Sequence, residues 1–511
     1  EVIADAPPRF THQQIMKVLS GILLCIFLAA IDQTVVIPAV PAIAADLNGF
    51  GHLSWIVSAY LLTSTAATPI YGKLSDIYGR RRLLLPALVL FAAASVLCAL
   101  SQSLLQLIAA RALQGLGGAG LMAMAQAAIA DVVSPRERGR YQGYMASTWG
   151  VCSIAGPILG GWVTDHLSWR WIFWINLPIA IIAIVLCDRA LRLLQPRAAK
   201  VRIDYLGAAL LTGGVTCLLL ALSWGGVEFP WSSPEILGLV AAGAVLIVLL
   251  GAQERRIAEP LLPPRLFANA VFLRGVMIAF FAALALFAGT FLLPLFFQLV
   301  RGADAAQSGA LVVPFLGSNC VGAVVAGQVA RRTGKTKPLL IAGLALCIAG
   351  FGLLATVDVD TPGVLAIGYQ LGLGFGLGLL MPTTLVTVQN AAERRDVGVA
   401  TGTMLFLRSM GGAFGSTLAG ALLASRFAAR VAALGLGVPL DLGDLRGPAD
   451  VLGSLAPSAR AAVIAGLTSA FHLAFLVCAV TLALAMVVAS GMRDVRLRSS
   501  GEPAEPAALA H

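Results

Sequence analysis

The sequence predicts an all-α polytopic membrane protein with 14 transmembrane helices. Three observations carry that reading. Apolar blocks long enough to cross a bilayer recur about fourteen times in 511 residues. Charged residues make up only 12% of the chain, against about 25% in soluble domains, and mean hydropathy is +0.88. Basic residues also gather on alternate connections between the blocks, the pattern that orients membrane helices.

A span needs about 20 mainly apolar residues. The first, 18–41, belongs to the run LSGILLCIFLAAIDQTVVIPAVPAI and lacks a small-residue cleavage site, so it reads as a retained helix and not a signal peptide. Pro38 near its outer end predicts a kink or an early stop. Spans 54–72 and 83–101 are parted by a basic glycine turn, and a short polar link leads to 104–126. Span 142–164 follows a cluster of arginines, and 170–188 opens on WRWIFW. A basic stretch, 189–204, precedes spans 205–222 and 235–251, whose low polar content fits a peripheral place. Six more follow at 275–299, 307–330, 338–357, 363–385, 398–424 and 468–489.

The expected organisation is therefore an N-terminal six-helix bundle (1–188), a linker region with two additional helices (189–274) and a C-terminal six-helix bundle (275–489). The second bundle would contain an outer loop, 425–467, rich in Gly, Pro and Asp, and a cytoplasmic tail would follow at 490–511. Such a loop reads as a variable linker with a short surface helix, or as a contact for substrate or a partner.

Charge orients the chain. With the N-terminus inside, the cytoplasmic segments hold 27 of the 35 basic residues and the opposite side holds six. Arg111 and Arg408 lie within spans. This places both termini in the cytoplasm and explains the +10 net charge as a rim facing anionic lipid, without nucleic acid as a partner. The eight cysteines are scattered in apolar runs without metal-ligand spacing and read as buried thiols.

Five stretches carry more. GKLSDIYGRRR combines Gly72 and Gly79, which permit a tight turn, with Asp76, a candidate helix cap or arginine partner, and Arg80. LIAARALQGLGGAGLMA contains Arg111, and GPILGGWVTD contains Gly156, Pro157, Gly160 and Gly161, a close-approach pattern with a flexure point. AAIDQTVVIPAVPAIAADL holds Asp32, and WRWIFWINLP follows at 169–178. Together these resemble the major facilitator superfamily, specifically its fourteen-span drug:proton antiporter branch. The specific motifs lie before residue 180 and the layout matches throughout. GQVARRTGKTK, from Gly327, echoes the Gly72 loop without its aspartate, as expected of related halves. The Ile37–Pro38 pair departs from the branch, whose members commonly carry an asparagine and a small residue there.

The resemblance implies proton-coupled export of amphipathic or cationic drugs across a bacterial cytoplasmic (inner) membrane by a monomer. Its partners would be protons, small amphipathic molecules and membrane lipids. No catalytic residue, metal site or cofactor is expected, and the chain reads as no enzyme. Independently of any family, Asp32 and Arg111 both fall roughly 12–14 Å below the outer surface at 1.5 Å per residue. An intramembrane acid marks an ion pathway, so the pair is the candidate for proton coupling; a static ion pair is the structural alternative. Arg408 could attract an anionic substrate group or pair near Asp76. His472 reads as a satisfied interface histidine. Candidate cavity residues are Tyr60, Gln114, Met122, Gln126, Trp149, Phe280, Phe287, Phe291, Gln298, Asn319, Gln389 and Arg408. Export of one native metabolite, lipid or siderophore, or a non-transporting sensor or scaffold, remain the alternative readings.

Overall fold

Thr11 starts the first helix with a reciprocal cap. Its hydroxyl accepts the Gln14 N–H, and the Gln14 side chain accepts the Thr11 N–H at 2.8 Å. The computed structural model describes residues 11–47, 54–133, 135–192, 204–226, 229–257, 260, 262–303, 305–434, 456–494 and 497. Among these the regular structure is helical: α1 (His12–Asp46), α2 (Ser54–Tyr78), α3 (Arg80–Leu100), α4 (Leu104–Val132), α5 (Pro135–His166), α6 (Trp171–Trp174) and α7 (Asn176–Leu191). Then come α8 (Tyr205–Trp224), α9 (Pro234–Glu254), α10 (Pro264–Ala268), α11 (Ala270–Leu299), α12 (Ala305–Thr333), α13 (Lys337–Leu354), α14 (Gly363–Ala391), α15 (Val397–Leu434) and α16 (Pro457–Ser490).

Among the described residues eleven helical segments are long and apolar enough to cross a membrane, against fourteen expected. The difference lies in α2, α5 and α15. These helices run 25, 32 and 38 residues, but polar and charged side chains along them lower their apolarity. All three sit on the seam between the bundles, where part of each helix packs on another helix. α1 runs unbroken through Pro38. The expected outer loop is also shorter than 425–467: helix continues through Leu434 and resumes at Pro457, and 435–455 lies outside the described residues. The basic linker falls mostly outside them as well, at 193–203.

Helices α1 to α7 pack into one bundle and α11 to α16 into another. The first is cored by residues such as Ile22, Leu88, Phe91 and Met124, the second by Phe296, Phe351, Phe471 and Phe475. α8 and α9 pair with each other, and α8 packs on α2 and α15 through Leu211, Val215, Ala66 and Met410. α9 turns Val245, Val248 and Leu249 outward, as a lipid-facing helix would.

The bundles meet along α2–α15 and α5–α12, at the end that carries Arg80–Arg82, here called the basic end. Glycine makes the approach possible. A Cβ on Gly139 would lie 2.8 Å from the Gly327 Cα, and one on Gly402 would lie 3.2 Å from the Pro69 Cα. Among the described residues this end is closed. Toward the opposite end a cavity of about 610 Å³ is lined by Thr290, Phe291, Pro294, Leu295, Gln298, Leu299 and Ala303.

Candidate functional site

Asp32 of α1 and Arg111 of α4 are brought together. The Arg111 guanidinium donates to Asp32 Oδ2 at 2.6 Å, and both side chains are 1% exposed. The other carboxylate oxygen, Oδ1, accepts from the Gln114 amide at 2.9 Å and the Asn176 amide at 2.8 Å. Ser95 of α3 accepts from both amides and donates to the Phe173 carbonyl at 2.9 Å. Arg111 also donates to Gln114 Oε1 and to the Ile56 carbonyl, and it lies over the Tyr60 ring, 4.5 Å from its centroid.

Six elements thus converge on one carboxylate and its cation. Desolvating both ions is expensive, and only the satisfied hydrogen bonds around them make such a pair tenable. Ser95 and Asn176 were not expected. Asn176 left a trace in the sequence, as the one amide in the apolar run between Trp174 and Cys187.

The glycine turn forms a second site at the basic end. Gly79 adopts φ +87°, a conformation that a side chain would strain, and so lets α3 start directly after α2. Arg80 pairs with Asp76 at 2.7 Å and Asp131 at 2.8 Å and touches the Ser75 hydroxyl. Asp76 accepts two backbone N–H groups from the start of α15. That is a favourable place for a carboxylate, because the free amides and helix dipole there carry partial positive charge. Gly72 lies against Gly398 and Gly402, whose backbones leave no space for a Cβ.

In α5, a Cβ on Gly156 or Gly160 would collide with Thr34 or Val35 of α1, whereas Gly161 has open space around it. Pro157 lies inside the helix, and Thr34 crosses to the Cys152 carbonyl at 3.0 Å.

The candidate cavity residues separate into distinct places. Tyr60 and Gln114 belong to the Asp32 network. Met122 and Trp149 pack against the first bundle's core. Gln126 accepts from Gln142 at 2.9 Å and, through its carbonyl, from Gln389 at 3.4 Å, so these two candidates tie the bundles together. Phe280 packs toward α8. Phe291 and Gln298 line the 610 Å³ cavity, Gln298 donating to Ser308 at 2.7 Å. Phe287 is 50% exposed. Asn319 is half-buried, and its amide nitrogen meets no partner. Arg408 is half-buried and lies away from Asp76, which takes Arg80 instead. His472 contacts the Val357 carbonyl at 3.0 Å.

Comparison with known proteins places this arrangement. The family model described as Major Facilitator Superfamily matches residues 22–416. The chain is 38% identical to the multidrug transporter protein MdtP of Bacillus subtilis (strain 168) over 408 residues, 80% of this chain and 75% of that one. It is 36% identical to the efflux pump FUS6 of Gibberella moniliformis (strain M3125 / FGSC 7600) over 412 residues, 79% and 73% of the two chains. Among solved structures, the proton:xylose symporter XylE superposes with a TM-score of 0.63 at 15% identity, covering 96% of this chain and 98% of that one.

Proposed function

The chain belongs to the major facilitator superfamily, a family of multi-pass membrane transporters and not of enzymes, and from that premise we propose that it is a proton-coupled antiporter exporting amphipathic drugs, cationic ones among them. In this reading it acts as a monomer in a bacterial cytoplasmic membrane. The basic end, with both termini, faces the cytoplasm, and three of the fourteen spans are α2, α5 and α15. Its relatives named as a multidrug transporter and an efflux pump support export.

One observation carries the coupling: a buried carboxylate whose two oxygens are divided between a cation and two amides. Asp32 Oδ2 is the atom that takes the proton. Protonation removes the charge that holds Arg111, and the guanidinium then loses its strongest partner. A cationic substrate group competes with that proton for the same carboxylate, so the two occupy the site alternately. Inward proton movement contributes about 2.3 kcal/mol per charge per 100 mV. The contacts of Asp76 with α15 close the cytoplasmic side in one half of the cycle, and α1 and α5 slide on the Gly156–Gly160 face between states.

Reconstituted protein tests this. Internal pH of liposomes is recorded while ethidium, tetraphenylphosphonium and neutral amphiphiles are added to the wild type and D32N. Substrate-dependent proton flux that vanishes in D32N is the expected result. Equal flux in correctly inserted D32N removes Asp32 from the coupling role, and no flux from the wild type removes antiport.

A further inference from the structure

Within the span of α15 lies a charge, Arg408, that no described residue answers. Arg408 lies on α15 eleven residues beyond Val397, roughly 16 Å along the helix and so near mid-depth of a bilayer. It is half-buried, and among the described residues it makes no ion pair and no hydrogen bond. Its nitrogens are not among the fully sealed, unpartnered atoms of the interior.

Neighbouring helices offer no counter-charge at its level: α11 to α16 contain no aspartate or glutamate, and Asp76 of α2 and Asp131 of α4 are taken by Arg80 at the basic end. In the first bundle Asp32 cancels Arg111. Among the described residues Arg408 is therefore a cation within a span that has no counter-charge beside it. Intramembrane cations are expensive and mark pathways or ligands when they persist.

The surroundings say what kind of ligand fits. One turn outward, Gly412 lets α15 lie flush with Phe287, where a Cβ would come within 2.8 Å of the ring. Phe287 is 50% exposed, and Phe291, one turn further along α11, lines the 610 Å³ cavity. A planar guanidinium on the same face of α15 as the Gly412–Phe287 contact, one turn away from it, suits an aromatic carboxylate. The fork takes both oxygens, and the ring buries against phenylalanine.

We propose that Arg408 binds the anionic group of amphipathic aromatic substrates, so that the cargo comprises aromatic carboxylates and zwitterions beside cations. This rests on the export reading and extends it. A zwitterion satisfies Arg408 with its carboxylate and competes for Asp32 with its amine. A permanent cation meets the Arg408 charge unshielded and gains less. Export of an anion also runs with an inside-negative potential.

The test compares three probes of one shape: 2-naphthoate, neutral 2-naphthamide and the cation 2-naphthylmethylammonium. Their affinities are measured for purified wild type, R408K and R408Q, each checked for folding by thermal melting. The wild type is expected to bind naphthoate at least tenfold more tightly than naphthamide. That ratio falls to about one in R408Q and is partly restored in R408K. An unchanged ratio in folded R408Q, or a wild type that binds none of the three, overturns the proposal. Proton flux in liposomes separates the two readings. Flux with cationic amphiphiles that coexists with an Arg408-independent ratio leaves export standing and this inference fallen. An Arg408-dependent ratio without any flux does the reverse.

Discussion

Asp76 of α2 accepts the backbone N–H of Gly398 at 3.0 Å and that of Val399 at 2.8 Å, so one carboxylate of the first bundle caps the helix that begins the seam of the second. Arg80 holds the same carboxylate at 2.7 Å and is itself anchored by Asp131. In the proposed transport cycle this contact exists only while the basic end is closed, so it would stabilise that conformation as well as the fold.

Asp76→Asn should therefore open the basic end. A hydrogen bond to a charged group contributes about 1.5–3 kcal/mol, which is roughly tenfold or more in a two-state population. Spin labels at Arg140 on α5 and Thr333 on α12 report the separation. The expected result is a new, longer distance in Asp76→Asn that is minor in the wild type. An unchanged distribution would mean that the glycine contacts alone hold the closure.

Those glycine contacts give a second prediction. A Cβ on Gly327 would run into the Gly139 carbonyl across the seam between α12 and α5. Backbone cannot move aside as a side-chain tip can, so Gly327→Ala should force the two helices apart and shift the same label pair to the longer distance. Helix propensity favours alanine by about 0.8–1.0 kcal/mol. Thermal stability should hold while the conformational balance moves.

Much of this was legible in the sequence, for identifiable reasons. Asp32 and Arg111 could be matched in depth because both lie in apolar helices of constant rise, and a charge there stands out. The turn at Gly79 was legible because a glycine among basic residues breaks one helix from the next. The eleven-helix count differs from fourteen because α2, α5 and α15 bury polar groups against other helices, which hydropathy along one segment cannot register. Asn176 and Ser95 were missed because single neutral polar residues are common in spans, and only the fold aims them at Asp32. Gln126 and Gln389 were placed in a cavity because nothing in their own helices indicates that the seam closes over them.

Gly160 and Gly161 are adjacent in sequence and should behave oppositely. Alanine at Gly160 meets the Val35 carbonyl of α1, while alanine at Gly161 meets nothing within 4 Å. Gly160→Ala should destabilise by about 1–3 kcal/mol, as overpacking does. Gly161→Ala should be neutral or stabilising by up to about 1 kcal/mol. Melting temperatures in detergent distinguish them, and equal losses at both positions would contradict the packing described.

Asp46 at the far end of α1 gives a pH dependence. Arg170 donates to it at 2.7 Å and the Trp169 indole at 3.0 Å, and these bonds, Arg170 first, hold its carboxyl below the usual range. A depressed value in the folded state contributes stability above the unfolded value, near 3.9, and that contribution is lost as pH falls through the lower folded value. The melting temperature of the wild type should exceed that of Asp46→Asn by a constant amount above about pH 5, with the gap closing below about pH 4. Asp46 is largely exposed, so the gap should also shrink in high salt. A gap independent of pH would place the stabilisation elsewhere.

The Asp32–Arg111 pair calls for a double variant, because a single one confounds two effects. Asp32→Asn leaves the Arg111 guanidinium buried without its counter-charge, and breaking a buried pair from one side costs about 3–5 kcal/mol. Loss of proton flux in Asp32→Asn alone could then reflect a weakened fold. Removing both charges takes away the unpaired ion. Asp32→Asn with Arg111→Gln should therefore melt above Asp32→Asn, a coupling that a double-mutant cycle measures directly. Proton flux should stay absent in both, since neither retains a group at that depth able to release a proton on substrate arrival. Restored stability with absent flux separates the carboxylate's role in coupling from its role in packing. Restored flux in the double variant would reduce the pair to a structural tie between α1 and α4.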